Sequence, residues 1–412
     1  MMSKKSPQLR FEGFTDDWED RKLKDVTERV RSNDGRMDLP TLTMSASSGW
    51  LDQKDRFSGD ISGKEKKNYT LLKKGELSYN HGNSKLAKYG VVFSLTNYEE
   101  ALVPRVYHSF KALENTSADF IEYMFSTKLP DRELGKLVSS GARMDGLLNI
   151  NYDDFMNIHI SIPNYEEQIL VSAFFRKLDE TIALHQRKLD LLKEQKKGFL
   201  QKMFPKNGAK VPELRFAGFA DDWEERKLSD VANHRGGTAI EKYFDKYGVY
   251  KVISIGSYGL NSQYVDQNIR AISNEITDGR VVNSGELTMV LNDKTANGTI
   301  IGRTLLVEKD NEYVINQRTE IISPKENFDS NFAYTILNGP FREKVKRIVQ
   351  GGTQIYVNYP AVSNLNLELP KIEEQQKIGS FFKQLDDTIA LHQRKLDLLK
   401  EQKKGFLQKM FV

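Results

Sequence analysis

Residues 181–204, TIALHQRKLDLLKEQKKGFLQKMF, recur unchanged at residues 388–411. An internal repeat constrains architecture before any single residue does. The match widens upstream: PNYEEQILVSAFFRKLDE from Pro163 aligns with PKIEEQQKIGSFFKQLDD from Pro370. A second repeat, PQLRFEGFTDDWEDRKLKDV from Pro7, returns as PELRFAGFADDWEERKLSDV from Pro212. The chain is therefore one unit written twice: an opening motif, a long middle and a closing helix. The middles, residues 27–162 and 232–369, scarcely resemble each other. The expected domains are 1–162 and 205–369, each followed by a conserved long helix, at 163–204 and 370–412.

In the closing segment Phe175, Leu178, Ile182, His185, Leu189, Leu192, Lys196, Phe199 and Met203 fall at alternating spacings of three and four. That is an a/d seam over about four heptads. Glu166 and Glu167, close behind Pro163, suit a helix start because acids there complement the macrodipole. The helix spans roughly 55 Å at 1.5 Å per residue, and the second copy repeats the seam from Phe382 to Met410. Only residues 205–211 separate the first helix from the second opening motif, and seven residues reach at most about 25 Å. The two helices are therefore expected to pair antiparallel, holding a globular middle at each end. Leu184, Leu191, Leu391 and Leu398 sit off the seam and widen the apolar stripe. They are candidates for binding another subunit, or else they cover the globular middles. His185 and His392, at d positions, read as register-setting residues.

Each middle mixes strand-like runs (GELSYN at Gly75, GELTMVLND at Gly285, YKVISIG at Tyr250) with helical stretches (DFIEYMFS at Asp119, FREKVKRIV at Phe341). The fold class is α+β: two mixed domains joined by two long antiparallel helices in a coiled coil, a pseudo-twofold internal repeat. The opening motif, with Leu9, Phe11, Phe14, Trp18 and Leu23, reads as an apolar hook that anchors in a core.

Among 412 residues, 61 basic and 57 acidic side chains leave a charge of +4. Near-neutrality does not exclude nucleic acid, since clustering decides. The absence of cysteine removes disulfides, thiolate nucleophiles and thiolate zinc sites. No apolar run is long enough to cross a bilayer, and the start lacks the apolar segment of a secretory signal. A cytoplasmic location without membrane contact is expected.

Two unlike heads on one frame suit two unlike half-sites on a duplex, since dimeric readers space their heads about 34 Å apart. After the equivalent GEL strands come YNHGNSK, with Asn80, His81, Asn83, Ser84 and Lys85, and LNDKTANGT, with Asn292, Lys294, Thr295 and Asn297. A second loop pair, SSGARMDG with Arg143 and QGGTQIY with Gln350, Thr353 and Gln354, precedes the matched Asn151-Tyr152 and Asn358-Tyr359. HRGGT, with Arg235 and Thr238, and PRVYHS, with Arg105, complete the candidates. Such side chains reach base edges and phosphates; the plain alternative for each is a solvated turn.

With these residues in view, the chain resembles the specificity subunit of type I restriction–modification systems. The resemblance is carried by PNYEEQ and PKIEEQQKIGSFF, each followed by LD-x-TIALHQRKLDLLKEQKKGFLQKMF, and by the FxGFxDDWE opening motif. It covers essentially the whole chain. The first copy departs with Ile169-Leu170-Val171 where the second has Gln376-Lys377-Ile378. The resemblance implies a DNA-binding scaffold that reads a bipartite, asymmetric double-stranded target and carries two methyltransferase (modification) subunits, to which restriction subunits are added. The chain itself is then a non-catalytic part of a deoxyribonuclease and adenine methyltransferase complex. S-adenosylmethionine, ATP and magnesium belong to the partners, and no cofactor is expected here. Consistently, there is no N/D-P-P-F/Y stretch and no G-x-x-x-x-G-K-S/T loop. The competing expectation is a two-headed adaptor that binds proteins and has no DNA role.

Overall fold

The computed structural model describes residues 6–31, 33–57, 63–138, 147–206, 208–294 and 296–412. It divides into two units. One holds the chain up to Gln186 together with Lys395–Val412; the other holds Arg187–Arg394.

In the first unit the elements that frame the candidate site are β1 (Glu19–Lys22), β2 (Thr27–Arg29), β3 (Leu77–Asn80), β4 (Val91–Ser94), β5 (His108–Ala112), α1 (Ala118–Ser126), α2 (Tyr152–Met156) and β6 (His159–Ile162). The first long helix, α3 (Tyr165–Lys202), follows. The second unit runs β7 (Glu224–Lys227), β8 (Ala232–Gly236), β9 (Leu287–Val290), β10 (Asn292–Asp293), β11 (Thr304–Leu306), β12 (Thr319–Pro324), α4 (Ser330–Asn338), α5 (Pro340–Lys346), β13 (Ile355–Tyr356), α6 (Tyr359–Ser363) and β14 (Asn366–Leu369). The second long helix is α7 (Ile372–Lys409).

Each unit is built on a four-stranded antiparallel sheet of one plan, β2-β5-β3-β4 in the first and β8-β12-β9-β11 in the second. The opening motif adds an edge ribbon to each, β1 with β6 and β7 with β14. The remainder differs. The first unit has two further antiparallel ladders, the hairpin of Leu42–Ser45 with Gly49–Asp52 and the pairing of Thr70–Lys73 with Glu100–Val103. The second has a four-stranded sheet in which Tyr250–Ile253 and Tyr313–Ile315 run parallel.

The Glu-Glu-Gln of each helix start has a structural purpose. Arg10 donates to both oxygens of Glu167 at 2.7 and 2.8 Å, and Arg215 does the same to Glu374. Both acids are 1% exposed. Gln168 donates to the Pro163 carbonyl and accepts from the main chain of Ser117, the residue that caps α1. Gln375 repeats this with Pro370 and Asp329, the cap of α4. Sheet, helix and opening motif are thus locked at one corner.

The long helices meet antiparallel within each unit. In the first, Phe406 packs edge-on against Phe174 with centroids 5.0 Å apart, and Lys403 reaches Asp179 at 2.5 Å. In the second, Phe199 meets Phe381 at 5.0 Å and Lys196 meets Asp386 at 2.5 Å. The seam residues Phe175, Leu189, Leu192 and Met203 are buried. The Met-Phe that ends each helix enters the core: Phe411 packs on Trp18, Phe120 and Phe175, and Phe204 on Trp223, Phe332 and Phe382. The opening motif also donates the Leu9 N–H to the Lys409 carbonyl and the Leu214 N–H to that of Lys202, satisfying a carbonyl that a helix end leaves open.

Removing one partner of a buried ion pair strands the other charge. Arg10→Ala is therefore expected to destabilise the first unit by about 3–5 kcal/mol. Pairing Arg10→Met with Glu167→Leu restores most of the loss, as read by urea unfolding.

Candidate nucleic-acid interface

The first unit presents a basic cleft of about 300 Å³ at the β2 edge, lined by Arg29, Arg31, Lys67, Tyr69, Arg105 and Tyr152 among others. The Arg29 guanidinium lies 3.7 Å above the centre of the Tyr152 ring. Burial, then the nearby Arg31 and Arg105 charges, hold its pKa below the usual arginine value. Burial pushes the Tyr152 phenol up to about 12, and its hydroxyl has no hydrogen-bond partner among the described residues. Glu28, next to Arg29, pairs with Lys111 at 3.1 Å. Among the described residues no acid forms an ion pair with Arg29, Arg31, Lys67 or Arg105. Asp153 acts on Arg29 only through its field, so the group keeps an excess of positive charge that favours an anion.

Beneath the cleft lies an aromatic layer. Tyr79 stacks on Phe155 at 4.3 Å, and the rings of His81 and His108 lie 4.9 Å apart. His108 Nε2 is 2.9 Å from the Ile150 carbonyl, and burial pushes its pKa down to about 4. The ring is therefore neutral at physiological pH, with Nε2–H donating.

The placement of the expected residues is uneven. Asn83, Ser84, Lys85 and Arg105 are exposed. Asn80 turns inward to accept the Gly82 N–H at 3.0 Å. His81 is buried, its ring nitrogens 2.8 Å from the Leu148 carbonyl and 3.2 Å from that of Val106. It ties the chain beside Arg105 to the strand end rather than offering itself to solvent. Gly90 makes the loop's return possible: its φ is +87°, and a Cβ there would meet the Asn80 carbonyl at 2.4 Å. Arg143 lies outside the described residues.

In the second unit the two expected loops come together. Asn292 pairs with Tyr356 in the β10–β13 ladder, and Gln350 exchanges main-chain bonds with Tyr356 at 2.9 Å. Thr353 and Gln354 sit on the exposed turn between, and Lys294 and Asn297 are exposed on the neighbouring loop. Thr295 lies outside the described residues. Thr238 is half-buried beside a main-chain bridge to Asn316. Arg235 is occupied, since it donates to both oxygens of Glu286 at 2.9 and 2.7 Å and to the Val281 carbonyl.

Sequence reasoning missed Arg342. This buried guanidinium donates to the carbonyls of Gly298, Thr299 and Ile301 and so holds the 291–303 loop from below. Burial lowers its pKa to about 10. Its one signal is an arginine at an inward position of FREKVKRIV. Arg29, Arg31 and Lys67 were missed as well, because the Arg29–Arg31 pair lies far in sequence from Lys67 and Arg105. The four off-seam leucines, Leu184, Leu191, Leu391 and Leu398, are between 49% and 64% exposed, so the globular parts leave them uncovered. Among the described residues no helix is long and apolar enough to cross a membrane.

Two domains of one plan, each offering solvent different side chains on the same frame and each closed by a long helix, define a duplicated recognition subunit. The sequence matches the type I restriction modification DNA specificity domain over residues 15–194 and again over 220–401. The chain belongs to that family and is a type I specificity subunit with two target-recognition domains. The type I restriction enzyme MjaVIII specificity subunit of Methanocaldococcus jannaschii is 24% identical, over 71% of this chain and 70% of that protein. The putative MjaX specificity subunit of the same organism is 22% identical, over 95% of this chain and 92% of that protein. In fold, the chain is similar to the crystal structure of the type I S subunit from M. genitalium, with a TM-score of 0.64 at 11% identity over 99% of both chains.

A histidine that is neutral in the fold and charged when unfolded contributes stability above its unfolded pKa of 6.5, and that contribution is lost as pH falls toward 4. The first unit is expected to lose roughly 3 kcal/mol across that window. His108→Gln flattens that component in thermal unfolding scans taken from pH 7 to 4.

Proposed function

We propose that this chain reads a bipartite, asymmetric double-stranded DNA target, one half in each unit, and has no chemistry of its own. On this reading the exposed leucines of the long helices receive two methyltransferase subunits, restriction subunits join afterwards, and the partners supply methylation and cleavage. Family membership supports the assignment. The observation that carries it is the unneutralised group Arg29, Arg31, Lys67 and Arg105 around the Tyr152 ring. The polar edge of Asn292, Gln350, Thr353 and Gln354 supports the same role for the second unit.

DNA affinity of the assembled modification complex should fall steeply with salt, since each neutralised phosphate contributes about −0.9 to the slope of log K against log salt. Arg31→Ala or Arg105→Ala reduces that slope by about 1 and weakens binding to all sequences alike. Binding that is indifferent to salt would instead favour the protein-binding adaptor.

Leu191→Asp with Leu398→Asp is expected to abolish co-purification of modification subunits while leaving thermal unfolding of the chain within about 1 kcal/mol, because both positions are exposed. Retained co-purification would remove the leucines from the interface.

A further inference from the structure

The two opening motifs lead into strands β2 and β8, and the third residue of each strand meets a matched tyrosine. In the first unit Arg29 lies flat over Tyr152, 3.7 Å from its centre. In the second, the His234 ring lies over Tyr359, centroids 4.5 Å apart and planes tilted by 35°. Each tyrosine follows the matched asparagine that begins a short helix. The platform is therefore part of the duplicated frame, whereas the group on it differs.

We propose that this stacked side chain is the specificity-determining residue of its unit: Arg29 contacts base edges in one half-site, and His234 does so in the other. The inference rests on the DNA reading above and narrows it to one position per unit.

The stack gives each group the preorganisation that base reading needs. An arginine free in solvent carries about 2 kcal/mol of rotamer entropy, and the Tyr152 face removes much of that freedom before any ligand arrives. The guanidinium keeps a planar donor fork, the geometry that matches guanine O6 and N7. His234 is held from a second side, with Nδ1 2.6 Å from Oε1 of Glu320. That carboxylate is largely buried beneath the sheet edge, and burial raises its pKa. Glu320 is thus a positioning residue: it takes the Nδ1 side and leaves Nε2 as the imidazole's remaining polar edge. A fork and a single nitrogen cannot make the same base contacts, so one frame reads two different half-sites. Arg31 and Arg105, over which no ring among the described residues is stacked, suit phosphates instead and serve as internal controls.

The test uses the complete modification complex and duplex libraries randomised in one half-site at a time, with the methylated target sequence as a second readout. Arg29→Gln, and separately Arg29→Lys, should lower the preference for the cognate base on the order of 10- to 100-fold at one position of one half-site. The salt slope of Arg29→Lys stays unchanged. His234→Gln should do the same in the other half-site only, and Glu320→Gln should give a weaker form of the His234→Gln pattern. Arg29→Lys keeps the charge at an exposed position, so it reads the effect even if Arg29→Gln misfolds. Uniform weakening of all sequences with a shallower salt slope would make Arg29 a phosphate contact and overturn the proposal, as would unaltered preference. A wild-type complex that binds no duplex would sink the DNA reading itself, a result distinct from either.

Discussion

The structure depends on an aromatic plug at each helix end. Phe411 sits among Trp18, Phe120 and Phe175, and Phe204 among Trp223, Phe332 and Phe382, so each domain core is completed by the helix of the other repeat. Truncating a buried phenylalanine costs about 3–5 kcal/mol, a large part of the stability of an ordinary domain. In one unit the N-terminal half of α3 meets the C-terminal half of α7, and in the other the roles reverse, yet the Phe-on-Phe and Lys-on-Asp contacts coincide. Equivalent sockets thus account for the recurrence of Lys196, Phe199 and Phe204 as Lys403, Phe406 and Phe411.

Much of this was legible in the sequence because it is periodic. The seam gave the helices, the short linker at 205–211 gave their antiparallel pairing, and the two GEL strands fell at equivalent places in equivalent sheets. The edge ribbons were not legible: Glu19–Lys22 reads EDRK and Glu224–Lys227 reads EERK, exposed strands with no apolar alternation to betray them. The Arg10–Glu167 clamp was also invisible, since its partners lie 157 residues apart and sequence shows only that both recur. The candidate site fared unevenly for a related reason. Residue type identifies what can contact DNA, whereas burial decides what remains available. His81 and Arg235 have suitable chemistry and spend it internally, on carbonyls and on Glu286. Arg29 and Arg31 fall in no motif of the sequence, and only the fold sets them beside Lys67 and Arg105.

The division between frame and reading surface follows from these contacts. Among the residues repeated in both copies, the Arg–Glu clamps, the Gln bridges to the caps of α1 and α4, and the Trp–Phe plugs satisfy the interior. Residues that differ between the copies build the additional cores, face solvent or brace loops. Arg342 braces a loop. A buried cation is costly unless well satisfied, and here three main-chain carbonyls of one loop supply the partners. The loop bearing Lys294 and Asn297 is thereby held from below by a cation, while the buried Asp293 carboxylate within it accepts the Ile300 N–H.

Charge placement sharpens the same point. A total of +4 gives little long-range attraction, and at physiological salt the field of an exposed charge fades over about 8 Å. Some surface cations are matched in pairs such as Lys344–Glu368 and Lys371–Asp221. The Arg29 cleft instead gathers four cations in one place, none of them ion-paired among the described residues. On the DNA reading, gathering four cations around the Tyr152 ring places phosphate attraction at the surface where base edges come within reach. Non-specific binding is almost wholly electrostatic, so a subunit that selects sites among many competing sequences needs oriented base contacts beside its phosphate contacts.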